Sequence, residues 1–376
     1  MLTGIDDQIL DPETTPSSIS PFVKTEKIQE FVNALVNNYR KVKQGKPNRV
    51  FKTSLSERQL PVRNLGLYKI WLAEAYRYFC ESSNKEAPFT FASEWVLDNY
   101  YIIRQSLLQI EEDLPPGFYN QLPKLANGPL KGFPRIYAIS RAILSFQHLL
   151  LDSVELQAIL IQFQEYVPLK MGELWALPIF LRYSLIEFLS STLVSTIHPS
   201  KPPNLPEIAP QLSGFANDLT ISGSTEETVN NDNVANTILS LRAISEQNWS
   251  DFFESVSCLE RILRQDPSGI YPRMDFKTRD MYRKEIEELS FATGRDENDL
   301  AEITLNLARS KISPKSPPAI DSVIINSSIA ESGSSQSVGT KKKLDKTFST
   351  QKKAHVGEYL LGIGRAYLDE KIGCEP

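Results

Sequence analysis

The chain has 376 residues, 41% of them hydrophobic and 23% charged, with 46 acidic groups against 41 basic ones for a net charge of −5. At roughly 150 residues per domain this length suggests two or three packing units; the composition excludes wholesale disorder, and the acidic balance lacks the basic stripe of a nucleic-acid binder. Scattered cysteines (Cys80, Cys258, Cys374) and histidines (His148, His198, His355) offer neither a disulfide framework nor a metal-ligand spacing, so no metal and no cofactor is expected.

Residues 1–24 carry acids and prolines where a secretory signal would need a basic end and an apolar run, and they read as a flexible N-terminus of a cytoplasmic protein. Apolar residues at Ile28, Phe31, Val32, Leu35, Val36 and Tyr39 predict a first amphipathic helix, closed by Gly45 and Pro47. Leu67–Glu81 gives an aromatic-rich helix. A third runs from an N-cap at Ser93 to Glu112, stopped by Pro115-Pro116-Gly117. The glycines and prolines of 114–135 predict an ordered irregular loop. Helices over 136–150 and 153–166 precede the most apolar element, 172–196. Pro178, Arg182 and Glu187 interrupt that element, so it reads as a buried core helix rather than a membrane span.

Five prolines between Pro199 and Pro210, followed by a Gly/Ser/Thr/Asn stretch, mark 199–233 as a linker. Helices return at 234–246, at 251–264 after Ser250, at 277–293 with Gly294 at C′, and at 297–310 after Asp296. Nine serines, three prolines and two glycines in 311–340 predict a disordered tether. Lys341–Lys353 carries six lysines and one aspartate. That run reads either as a solvated linker or as a weak contact with anionic lipid, at about 1 kcal/mol per basic residue. A short helix from His355 ends the chain. The expected fold is therefore all-α: a multi-helix bundle of two helical units, 25–198 and 234–310, with a tether over 311–353 and a terminal helix within 354–376.

Chemistry is sparse at the level of motifs. Phosphate-cradling G-x-G-x-x-G and G-x-x-x-x-G-K-[ST] strings do not occur, nor does the D-x-D that holds a metal against a sugar diphosphate. No catalytic residue is assigned. Carboxylate pairs such as Glu111-Glu112, Glu226-Glu227 and Glu287-Glu288 read better as solvated helix faces than as acid and base. His148 reads as a partly buried, hydrogen-bonded side chain, and His355 as a cap or carboxylate partner. Charges inside apolar helices carry more information: Glu94, Asp98, Arg104, Glu173, Arg182, Glu187, Arg242, Asp251, Glu254 and Arg261 must form interhelical bridges or line a polar groove, since an unpaired buried charge costs about 3–5 kcal/mol. Tyr100-Tyr101, Phe118-Tyr119, Trp175 and Phe252-Phe253 could stack on sugar rings, although helical spacing favours the core.

Several long strings carry a family resemblance. FASEWVLDNYY (91–101), EEDLPPGFYNQLPKLA (111–126), GFPRIY (132–137), GELWALPIFLR (172–182), ANTILSLR (235–242), WSDFFESVS (249–257), RILRQDPSGIYPRMDFKTRD (261–280) and AHVGEYL (354–360) occur in this order. Together they resemble the N-terminal cytoplasmic region of the cyclic β-1,2-glucan synthases, large enzymes of the bacterial inner membrane. The resemblance implies service in UDP-glucose-dependent glucan synthesis, with the transferase part and the β-1,2-glucan as partners. It implies a location in the cytoplasm at the inner face of that membrane. The family's transferase motifs have no matching positions here. The expected role is thus a non-catalytic, truncated or split scaffold module, inactive alone; a stand-alone interaction adaptor and an enzyme with an unrecognised carboxylate site are the alternatives.

Overall fold

The computed structural model describes residues 21–43, 60–83, 90–199, 203–205, 226–311 and 354–373. The expected tether, the lysine run, residues 1–20, the stop at Gly45 and Pro47, Cys374 and most of the 199–233 linker lie outside these. Among the described residues there are fourteen α-helices and a single two-stranded sheet, an all-α fold.

In chain order the elements are α1 (Pro21–Tyr39), β1 (Val42–Lys43), α2 (Leu60–Ser83), α3 (Phe91–Asp113), α4 (Pro116–Gln121), β2 (Lys124–Leu125), α5 (Arg135–Phe146), α6 (Ser153–Tyr166) and α7 (Met171–Ile197). After these come α8 (Glu226–Glu246), α9 (Trp249–Val256), α10 (Cys258–Leu263), a 3-10 turn at Tyr271–Arg273, α11 (Phe276–Thr293), α12 (Glu297–Arg309), α13 (Val356–Leu360) and α14 (Arg365–Ile372).

The starts of these helices follow from side-chain oxygens that satisfy first-turn N–H groups. Thr90 accepts from Ser93 N–H, so α3 begins before the expected Ser93 cap. Asp152 caps α6, Asn248 caps α9, Asp275 caps α11 and Asp296 caps α12. The helix expected over 251–264 is two helices, because Ser257 adopts an extended conformation and recaps the chain by accepting from Glu260 N–H. Gly294 closes α11 with φ +73°, the left-handed conformation that costs glycine least. The loop expected over 114–135 contains α4, and its Lys124–Leu125 pairs antiparallel with Val42–Lys43.

Helix α7 is the hub. It is long and apolar enough to cross a bilayer, yet 89% of its most apolar window is buried inside the protein. Helices α2, α3, α5 and α8 pack around it, and α1 covers α5 and α6. Trp71 of α2 donates its indole N–H to Ser190 O of α7 at 3.0 Å. Phe31 of α1 stacks on Phe146 of α5 with centroids 4.3 Å apart. Helix α8 begins at Glu226, inside the expected linker, and packs along α7 and α3. The opposite end of α7 meets the later helices, where Trp175 packs edge-on against Phe253 of α9 and Phe276 of α11. The buried apolar side chains form one continuous cluster from Ile28 to Ile372.

At the end of α5, His148 and Leu149 both adopt positive φ (51° and 62°), a costly conformation for residues with a Cβ. Helix α8 holds this turn: Ser240 Oγ donates to Leu149 O at 2.6 Å and accepts from Leu151 N–H at 2.7 Å, while Asn236 donates to His148 O. The imidazole of His148 is exposed, contrary to the partly buried position read from its apolar neighbours, because the turn points it outward and buries Leu149 instead.

Candidate functional site

Three of the ten singled-out charges are held by arginines: Glu173 and Glu187, which are buried, and Glu254, which is partly buried. Glu173, in the first turn of α7, is fully buried; its Oε1 accepts from Arg135 Nε of α5 at 2.8 Å and its Oε2 from Lys170 N–H at 3.0 Å. Glu187, two thirds of the way along α7, accepts from Arg141 Nη1 at 2.9 Å, from the Tyr137 hydroxyl at 2.8 Å and from the Tyr68 hydroxyl at 3.2 Å. Burial pushes the Glu187 carboxyl above its ordinary range, a tendency that Arg141 and the two tyrosines oppose. Glu254 of α9 accepts from Arg279 Nη2 at 2.7 Å and from Arg264 Nη2 at 2.9 Å, and lies 3.2 Å from Arg283 Nη1. Arg283 also reaches Glu260 at 2.8 Å and sits over the Phe276 ring.

The other seven are dispersed. Arg182 is buried and has no carboxylate within ion-pair distance among the described residues; its guanidinium rests against Pro178 O and Ile244 O at 3.5 Å, and burial lowers its pKa. Arg242 donates to Asn99 Oδ1, joining α8 to α3. Asp251 accepts from Asn248 at the start of α9, and the Arg261 guanidinium lies 3.4 Å from Cys258 Sγ. Glu94, Asp98 and Arg104 are exposed on α3. The ten do not converge on one groove. Arg135, Arg141, Glu260, Arg279 and Arg283, the actual partners, were not singled out, although two arginines inside the apolar string RIYAISR satisfy the same criterion that flagged Glu187.

Two further buried carboxylates lock the later helices. Asp266 accepts from His355 Nδ1 at 2.8 Å, from Tyr271 N–H at 3.1 Å and from Val356 N–H at 3.1 Å, and so pins α13 to the turn after α10. Burial works to raise its pKa, but the bonds from His355, Ser268 and Tyr271 outweigh it and hold the carboxyl at about 2. Tyr282 OH lies 3.1 Å from His355 Nε2, and a Cβ at Gly357 would come within 2.5 Å of that hydroxyl, so α13 approaches only as glycine. The single terminal helix read from the sequence is thus two, broken at Leu361–Gly364. Glu297 accepts Met171 N–H at 2.9 Å and has no cation in contact among the described residues; burial raises it from 4.5 to about 8. No cluster of three His, Cys, Asp or Glu side chains suited to a metal occurs among the described residues.

A concavity opens on the surface. A trough of about 420 Å³ between α2 and α3 is bordered by Tyr76, Leu97, Asp98, Tyr100, Tyr101, Arg104, Gln105 and Leu108. It brings together two of the ten charged candidates, Asp98 and Arg104, with the Tyr100-Tyr101 pair. The other aromatics considered for sugar stacking are packed inside: Tyr119, Phe252 and Phe253 are buried, and Phe118 and Trp175 pack against the core.

No family model matches the chain. It is 25% identical over 361 aligned residues to the cyclic beta-(1,2)-glucan synthase NdvB of Rhizobium meliloti (strain 1021), an alignment covering 81% of this chain and 12% of that protein. The chain is related to the cyclic β-1,2-glucan synthase family. It spans about an eighth of that relative's length.

Proposed function

We propose that this chain is a non-catalytic helical module of cyclic β-1,2-glucan assembly that packs against the transferase part of the synthase on the cytoplasmic side of the membrane. The observation that carries the reading is the relation to a glucan synthase over 81% of the chain. The non-catalytic part is supported by what four of the five carboxylates buried among the described residues do. Glu173, Glu187, Glu260 and Asp266 all have their oxygens engaged by arginine, tyrosine, histidine or backbone N–H groups of neighbouring helices. An acid or base for sugar chemistry must instead reach a substrate atom. These groups join α5 to α7, α10 to α11 and the α10–α11 turn to α13, which is the work of a rigid support.

The test is a replacement. Exchanging the aligned stretch of the relative for this chain should preserve cyclic glucan formation in cells, whereas deleting the stretch should abolish it. The purified chain incubated with labelled UDP-glucose should yield neither free glucan nor acid-stable label on protein. Label on the isolated chain would overturn the non-catalytic reading, and failure of the replacement would overturn the assembly role.

A further inference from the structure

We infer that the trough between α2 and α3 binds a short, neutral gluco-oligosaccharide. This deepens the reading above and rests on it for the identity of the sugar. The first argument is misplaced hydrophobicity. The core face of α3 is filled by Val96, Ile103, Leu107 and Ile110, yet its outer face carries Leu97, Tyr101 and Leu108, with Tyr101 62% exposed. The outer face of an amphipathic helix is ordinarily polar; Leu97 there still packs against the core, but Tyr101 and Leu108 stay exposed and outside the buried cluster among the described residues.

The second argument is the wall opposite. Tyr76 of α2 and Tyr100 of α3 stack with centroids 4.1 Å apart and planes 17° from parallel, a pre-ordered aromatic surface that needs little further ordering on binding. The facing sides of this pair cover each other, so the exposed Tyr101 ring beside it is the flat face offered to the C–H face of a β-glucopyranose, whose ring substituents all lie equatorial.

The third is the polar rim. Asp98, Arg104 and Gln105 offer an acceptor, a donor fork and a mixed amide, the planar groups that engage neighbouring hydroxyls in pairs. Among the described residues none of the three has a hydrogen-bond or ion-pair partner of its own, and the two opposite charges favour a neutral ligand over an anion. The volume falls within the usual range of small-molecule sites, about 300–1,000 Å³. From Asp98 to Leu108 the helix rises about 15 Å, a span for a few sugar units rather than one.

Titration of the folded chain with β-1,2-linked glucotriose, followed by calorimetry and by NMR shifts, tests the site. Binding with a Kd on the order of 1 mM is expected. Tyr101→Ala should weaken it by about tenfold, the size of one aromatic stacking contact, and Arg104→Ala should weaken it as well. Both side chains are exposed, so the fold should survive, as circular dichroism would verify. No response at roughly 10 mM trisaccharide, equal binding by the variants, or tighter binding of UDP-glucose than of the trisaccharide would each overturn the inference. Absence of binding by a chain that still restores glucan formation removes the trough alone; binding by a chain that fails to restore it removes the assembly role alone.

Discussion

Two ionic clusters hold the two ends of this molecule together, and they solve the problem of a buried carboxylate differently. Glu187, between α7, α5 and α2, has one cation, Arg141, helped by the hydroxyls of Tyr68 and Tyr137. Glu254 and Glu260, between α9, α10 and α11, share Arg264, Arg279 and Arg283. Burial wins at Glu187 and pushes its carboxyl up. At Glu254 burial also works upward, but hydrogen bonds from Arg279 and Arg283 outweigh it and hold the carboxyl below its ordinary value. Raising the pH through the carboxylate range therefore withdraws stability at Glu187 and adds it at Glu254. Glu187 is also the more deeply buried of the two, so depth of burial and number of cations push the contrast in the same direction.

The largest effect should come from removing the single cation. Arg141→Ala leaves Glu187 buried with only hydroxyl donors, and unfolding by urea should show a loss of about 3–5 kcal/mol. A loss under about 1 kcal/mol would show that the tyrosines suffice and would break the contrast.

Glu297 sharpens the comparison as the case with no cation in contact. Its carboxyl, raised from 4.5 to about 8 by burial, holds a proton in the folded state that the unfolded chain releases. Its contribution to stability is full below pH 4.5 and is lost as pH rises through about 8. Glu287, Lys170 and Asp296 surround it, and Glu287 adds to the upward push while Lys170 opposes it. Glu297→Gln keeps an acceptor for Met171 N–H and removes the titration. Thermal melts of the variant and the parent should diverge from pH 5 to pH 9, by an amount on the order of a few kcal/mol, with the variant the more stable at high pH. Parallel pH profiles would contradict the assignment.

The smallest effect is expected at the redundant cluster. Arg264 is 42% exposed, and Arg279 and Arg283 continue to hold both glutamates without it. Arg264→Ala should cost under about 1 kcal/mol by urea denaturation. A loss as large as that of Arg141→Ala would mean that the three arginines act as one unit and that counting cations misleads.

Periodicity, caps and punctuation are local, and where they were clear the elements were legible. The stripe Ile28, Phe31, Val32, Leu35 is buried on one face of α1, Gly294 and Asp296 stand at the helix ends read for them, and α7 is a core helix despite its apolar length. The all-α class and the relation to the glucan synthases were likewise readable from residues alone. Charges inside apolar helices identified Glu173 and Glu187 as groups needing partners, but not which partners, because Arg135 is 38 positions away from one and Arg141 is 46 away from the other. The trough was half visible in Asp98, Tyr100, Tyr101 and Arg104; its other wall, Tyr76, belongs to a helix whose placement no local pattern encodes. Tertiary packing alone decided these matters, together with the antiparallel pairing of 42–43 with 124–125, the docking of α13 on Asp266 and the seat of α8 on α7. The physical reason is range: a helix is set by contacts three or four residues apart, whereas an ion pair or a groove is set by which helix faces meet.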